Sequence, residues 1–210
     1  KSKEYAYGWY ASKIIASIQD IQNKKSNSLK FLQNEFKEMR NPNIYQTLDY
    51  ANFFFFYKKY KEAISYYSTI LDLISIKDKL YPEVTQGRGE AFERLGEWEK
   101  AEKDLLSSLE SSPDQAYVIN YLAYTWIEKG INLDKSLEML KKANQLKEND
   151  GYIIDSLGWA FFKLKRYKEA KDYLQLAVSR MPSDPVINDH YGDSLWMNNQ
   201  SLQARYYWKY

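Results

Sequence analysis

The sequence predicts an all-α chain of antiparallel helix pairs stacked in series. Three observations predict it. Only 8 Gly and 5 Pro punctuate 210 residues, which favours long helices joined by short turns. A sparse pattern of small and large residues recurs in phase roughly every 34 residues. The run "YANFFFFYKKYKEA" at residues 50–63 holds four consecutive Phe, and such a run suits a helix covered on nearly every side.

The clearest unit spans residues 151–184. With Gly151 as its first position, Leu157, Gly158, Phe161, Tyr167, Ala170, Ala177 and Pro182 fall at positions 7, 8, 11, 17, 20, 27 and 32. Small residues at 8, 20 and 27 let two helix backbones approach, rings at 11 and 17 fill the space between them, and Pro at 32 stops the second helix.

The other elements follow in order. Residues 1–43 read as two amphipathic helices, "EYAYGWYASKIIASIQDIQ" and "SNSLKFLQNEFKEMR", with apolar residues three and four apart. They are expected to form an N-terminal helical pair, either a degenerate repeat or a pair outside the pattern, since the small-residue rules at positions 8 and 20 fail there. Residues 44–81 place Tyr50, Ala51, Phe54, Tyr60 and Ala63 in the pattern, then continue as a longer second helix or a loop through "ISIKDKLY". In that unit Phe54 is expected in the core, Phe53 at a repeat interface, and Phe55 and Phe56 towards a groove. Residues 82–115 supply Gly89, Phe92, Gly96, Trp98, Ala101, Leu105 and Pro113. Residues 116–150 supply Leu122, Ala123, Trp126, Ser136, Leu140 and Ala143, with one extra residue in the turn "GINLDKS". Residues 185–210 form a partial unit with Tyr191, Gly192, Leu195, Ala204 and Trp208.

This pattern resembles the tetratricopeptide repeat (TPR), a 34-residue helix pair. "GRGEAFERLGEWEKAEKDL", "NYLAYTWIEKGINLDKSLEML", "NDGYIIDSLGWAFFKLKRYKEA" and "DPVINDHYGDSLWMN" are similar to the C-terminal part of TPR proteins of Gram-negative bacteria, especially the alphaproteobacterial type. The resemblance covers residues 82–208. It implies an all-α, right-handed superhelical solenoid and a non-catalytic scaffold or adaptor. It further implies a periplasmic or outer-membrane-associated location, with the cytoplasm as the alternative.

Composition narrows the chemistry. There are 30 basic and 28 acidic residues, a net charge of +2, so no strong pull towards nucleic acid or an anionic membrane follows. With no Cys, disulfides and thiolate chemistry are excluded. His190 is the single His; without Cys or a second His it cannot build an ordinary metal site, and a structural or exposed role is expected. No phosphate-binding or dinucleotide-binding glycine motif occurs. No catalytic residue, metal ligand or cofactor is assigned. No stretch reaches the length of a membrane span, so direct insertion is not expected. The chain begins with Lys and ends in "RYYWKY", and a piece of a longer protein is expected.

By the resemblance, positions 2, 5, 9, 12 and 13 of each first helix line a concave groove. Among these and their neighbours the candidate ligand contacts are Asn52, Tyr117, Asn120, Tyr124, Tyr152, Asp155, Trp159, Phe162, Asp189, Asp193 and Trp196. The lining as a whole is aromatic and acidic; Arg94 and Lys163, both at position 13, are its basic members. That disfavours RNA. It also departs from TPRs that clamp a peptide carboxylate with paired Lys and Asn, because Asn52 is matched by Leu48 and Asn120 by Tyr124. A protein or peptide partner with apolar and basic groups is expected. Asp155, Asp189 and Asp193 are expected to share one patch with Trp159 and Trp196 and to hold a Lys or Arg, unless Lys163 or Arg166 already neutralises them. The alternative reading is a structural, self-associating segment, with the rings of "ARYYWKY" exposed at an uncapped end.

Overall fold

The computed structural model describes residues 2–21, 25–39 and 41–209. Every regular element among them is an α-helix. The chain forms two compact units, Lys1–Ser111 and Ser112–Tyr210.

The first unit contains α1 (Ser2–Ile21), α2 (Lys25–Glu38), α3 (Ile44–Phe56), α4 (Tyr60–Leu71), α5 (Tyr81–Arg94) and α6 (Trp98–Ser111). Asn43 starts α3 with a capping box: its side chain accepts from Gln46 N, and Gln46 reaches back to Asn43 N. This satisfies two of the backbone donors left over at a helix start. Helix α4 stops at Leu71, so the extra residues before α5 are a loop rather than added helix. Trp9 anchors α1 on α3, packing against Phe36, Tyr50 and Phe53 and donating Nε1 to Asp49 at 3.0 Å.

The four phenylalanines divide their work. Phe54 is buried and stacks on Tyr66. Phe53 meets Trp9 edge-on. Phe55 closes onto Tyr60 at the start of α4 rather than leaning towards a groove. Phe56 is exposed.

Three charged side chains, Arg88, Asp104 and Glu90, are wholly or partly buried in this unit. Arg88 donates Nε and Nη2 to the two oxygens of Asp104 at 2.6 and 2.8 Å, and Nη1 to Ser68 Oγ at 3.1 Å. Glu90 accepts from Gln86 Nε2 at 2.9 Å, yet burial pushes its carboxyl above the ordinary range, against the smaller pull of Gln86 and Arg94. A folded-state pKa raised above the unfolded one contributes stability below the unfolded pKa and loses it as pH rises through the folded one. Glu90→Gln keeps an acceptor for Gln86 and removes the charge. It is therefore expected to raise the melting temperature at pH 7, and thermal melts should show that gain vanishing by about pH 4.

The second unit contains α7 (Ala116–Lys129), α8 (Leu133–Leu146), α9 (Gly151–Lys163), α10 (Tyr167–Arg180), α11 (Pro185–Met197) and α12 (Ser201–Tyr207). Asp150 and Asp184 cap α9 and α11, each accepting two backbone N–H bonds. The core joins Leu140, Leu157, Phe161, Leu174 and Leu195. A methyl placed on Gly158 would lie 2.7 Å from Leu174 Cγ and 3.1 Å from its backbone N. The small residue is there because the second helix passes too close for anything larger.

From α3 onward, each of the five described turns between paired helices ends the first helix in the same way. Lys58, Gly96, Gly130, Lys165 and Asn199 adopt left-handed φ between 58° and 78°. The N–H of the next residue then bonds back to the carbonyl five residues earlier, as Lys59 to Phe54 and Arg166 to Phe161. This closes the helix end and turns the chain into its partner helix.

Candidate functional site

Helices α7, α9 and α11 are the first helices of their pairs, and α9 contacts both of the others. Each presents its second-position residue to solvent: Tyr117, Tyr152 and Val186 are 55%, 54% and 54% exposed. Tyr117 is tethered, its hydroxyl donating to Asp150 Oδ2 at 2.9 Å; that bond, with the nearby charge, pushes its phenol up. Further along α11, Trp196 and Met197 are also exposed.

Beside this row lies a cleft of about 270 Å³, walled by Asn120, Tyr121, Tyr124, Tyr152, Asp155 and Ser156, with Asp184 and Ile187 at its α11 end. Asn120 Oδ1 is buried without a hydrogen-bond partner. Tyr124 is held neutral: burial, then the charges of Glu128 and Asp155, push its phenol to about 12.

The expected acidic patch does not assemble as one surface. Asp155 is buried, 6% exposed, with His190 Nδ1 3.0 Å from each of its oxygens. Burial pushes its carboxyl up, and the bond to His190 opposes that. Trp159 is buried too, stacked on Phe162 at 4.7 Å and on His190 at 4.0 Å, while its Nε1 donates to Glu128 at 2.6 Å. His190 of α11, itself buried, is the group that both side chains meet. Phe162 also closes onto Tyr167.

Asp189 remains exposed. Asp193 is half-buried and accepts Trp208 Nε1 at 3.1 Å; burial and Asp189 push its carboxyl up. Trp196 leans on Trp208. Lys163 pairs with Glu128 at 3.4 Å and Arg166 with Glu169, so neither forms an ion pair with these three aspartates. Trp208 also lies over Gly192, and Tyr207 packs on Tyr191. Two of the terminal rings thus cover their own helix pair, while Tyr206 is 58% exposed; Tyr210 lies outside the described residues.

Asn52 belongs to the first unit. Its Oδ1 accepts from Tyr67 at 2.6 Å, and it borders a separate hollow of about 460 Å³ with Lys13, Ile21, Asp49, Phe53 and Phe56.

Register reasoning missed Tyr121, Ser156 and Asp184. Tyr121, Ser156 and His190 all occupy the sixth position of their repeats, and polar groups recurring there were the available signal. Asp184 was readable as an Asp-Pro helix start.

Residues 154–184 match the family model described as tetratricopeptide repeat. The TPR repeat-containing protein PA4667 of Pseudomonas aeruginosa is 31% identical over 118 residues, 55% of this chain and 20% of that protein. The chain therefore spans about a fifth of that relative's length. A tetratricopeptide repeat protein from Parabacteroides merdae superposes with a TM-score of 0.70 at 18% identity, over 95% of this chain and 77% of that one. PilF of Pseudomonas aeruginosa gives 0.68 at 17% identity, over 79% and 73%. MamA of Desulfovibrio magneticus gives 0.68 at 15% identity, over 81% and 94%. The fold is that of a TPR solenoid.

Proposed function

We propose that this stack of TPR helix pairs is a non-catalytic protein-binding scaffold, and that the face formed by α7, α9 and α11 takes an extended or helical segment of a partner protein. The observation that carries the reading is the row Tyr117, Tyr152 and Val186, with about half of each residue exposed. The core behind them is closed without them. Tyrosines are rigid, amphipathic anchors at interfaces. The carboxylates around them select apolar and basic segments and repel phosphate backbones.

Site-specific photocrosslinking tests this. Tyr152→p-benzoylphenylalanine, in cells that produce the protein, is expected to give a discrete covalent adduct. The same photoprobe at Glu138 on α8, whose side chain is 70% exposed, is expected to give none. With the probe at Trp196, adding Tyr117→Ala and Tyr152→Ala should abolish the adduct while leaving stability within about 0.5 kcal/mol. Equal adducts from positions 152 and 138 would reject the face as the binding surface.

A further inference from the structure

We propose that the cleft between α7, α9 and the start of α11 is a subsite for one Lys or Arg side chain of the partner; this rests on the scaffold reading above. Its walls combine two carboxylates with further acceptors and hold no cationic group. Asn120 Oδ1 is buried and unpartnered, and a buried polar atom of that kind calls for a donor. The two oxygens of Asp155 share a single ring nitrogen of His190, although a carboxylate has about four lone-pair sites. The Ser156 hydroxyl spends its proton on Tyr152 O, which leaves its oxygen with acceptor capacity only. None of the lining residues is Lys or Arg.

An anion entering here would meet Asp155 and Asp184 and lose its hydration without a countercharge. A cation gains both acceptors and charge. The size also selects. About 270 Å³ admits one long side chain and excludes a helix. Tyr124 and Tyr152 on the walls would flank an aliphatic stem or the cation itself. Asp189, which register reasoning grouped with Asp155, is not among the lining residues. The selective site is thus the Asn120–Asp155 cleft rather than the outer face of α11.

The test uses a phage-displayed library of random extended peptides selected against the whole chain. Selected peptides are measured by fluorescence anisotropy. Peptides that depend on Tyr117 and Tyr152 are expected to carry Lys or Arg at one fixed place. Replacing that residue by norleucine or Gln should weaken binding about tenfold to the wild-type protein and less than twofold to Asn120→Leu. Circular dichroism checks that Asn120→Leu is folded; if it is not, Asp155→Asn, which removes the carboxylate from the cleft wall, carries the same comparison. Groove-dependent peptides indifferent to norleucine would overturn the subsite and leave the scaffold reading standing. A norleucine penalty undiminished in both variants would also overturn it, by placing the cation elsewhere. A library without groove-dependent binders overturns both readings.

Discussion

Arg88→Met is expected to lower the stability of the Lys1–Ser111 unit by about 3 kcal/mol. The substitution keeps the aliphatic stem and most of the volume, so little of the loss is packing. What it removes is the bidentate partner of Asp104, which is 5% exposed and receives two Arg88 nitrogens at 2.6 and 2.8 Å. A carboxylate left alone in such a place loses water without gaining a countercharge. The low end of the range applies because the Arg88 side chain keeps 24% of its exposure. Arg88→Met with Asp104→Leu is expected to recover most of the loss, since an apolar pair of similar size replaces a buried ion pair at little cost. Chemical denaturation of the two variants decides it. If Arg88→Met costs under about 1 kcal/mol, the pair behaves as an exposed one; if the double variant is no better than the single, the loss was packing after all.

The helix pairs were legible in the sequence because sterics repeat. Gly89, Gly158 and Gly192 each sit where a Cβ would lie within about 3 Å of the paired helix, at 3.1, 2.7 and 2.5 Å from Ala101 O, Leu174 Cγ and Trp208 Cδ1. A residue type chosen by so close a contact with the neighbouring segment, backbone or side chain, leaves a mark that survives in one sequence. The left-handed turn residues left a weaker mark. Gly96 and Gly130 suit that conformation, but Lys58 and Lys165 occupy it too, where a side chain costs about 1 kcal/mol and the turn geometry overrides preference.

Charge partners were not legible. Arg88 and Asp104 look like any solvated pair of helical charges, and whether such a pair is inside or outside depends on packing between helices. Asp155 and His190 lie 35 residues apart, about one repeat length, so equivalent faces of successive first helices bring them together. Register places a residue on a face but does not give its depth. Tyr117 and Tyr152 stand out from that face, whereas Asp155 and Trp159 are sunk beneath a histidine from the next repeat.

Trp159→Ala is expected to cost the Ser112–Tyr210 unit about 3–5 kcal/mol, and this separates depth from register directly. The indole is 8% exposed. Removing it leaves a void beside Phe162 and His190, which stack on it at 4.7 and 4.0 Å, and takes a donor at 2.6 Å from Glu128. Lys163, whose ammonium lies 4.9 Å from the ring centroid, loses that contact as well. Trp159→Phe retains an aromatic layer and gives up the Glu128 bond, so a loss nearer 1 kcal/mol is expected for the polar part, with some added for the smaller ring. Trp196→Ala is the contrast. At 48% exposure it should change stability by no more than about 0.5 kcal/mol while weakening partner capture at the α11 edge. Equilibrium denaturation and photocrosslinking on the three variants give opposite rankings under the two possibilities. If Trp159→Ala melts with the wild type and fails to bind, the indole is a surface anchor and the His190 stack is not its environment. If it melts early and Trp196→Ala does not, the stack is core, and ligand recognition belongs to the rings that stand clear of it.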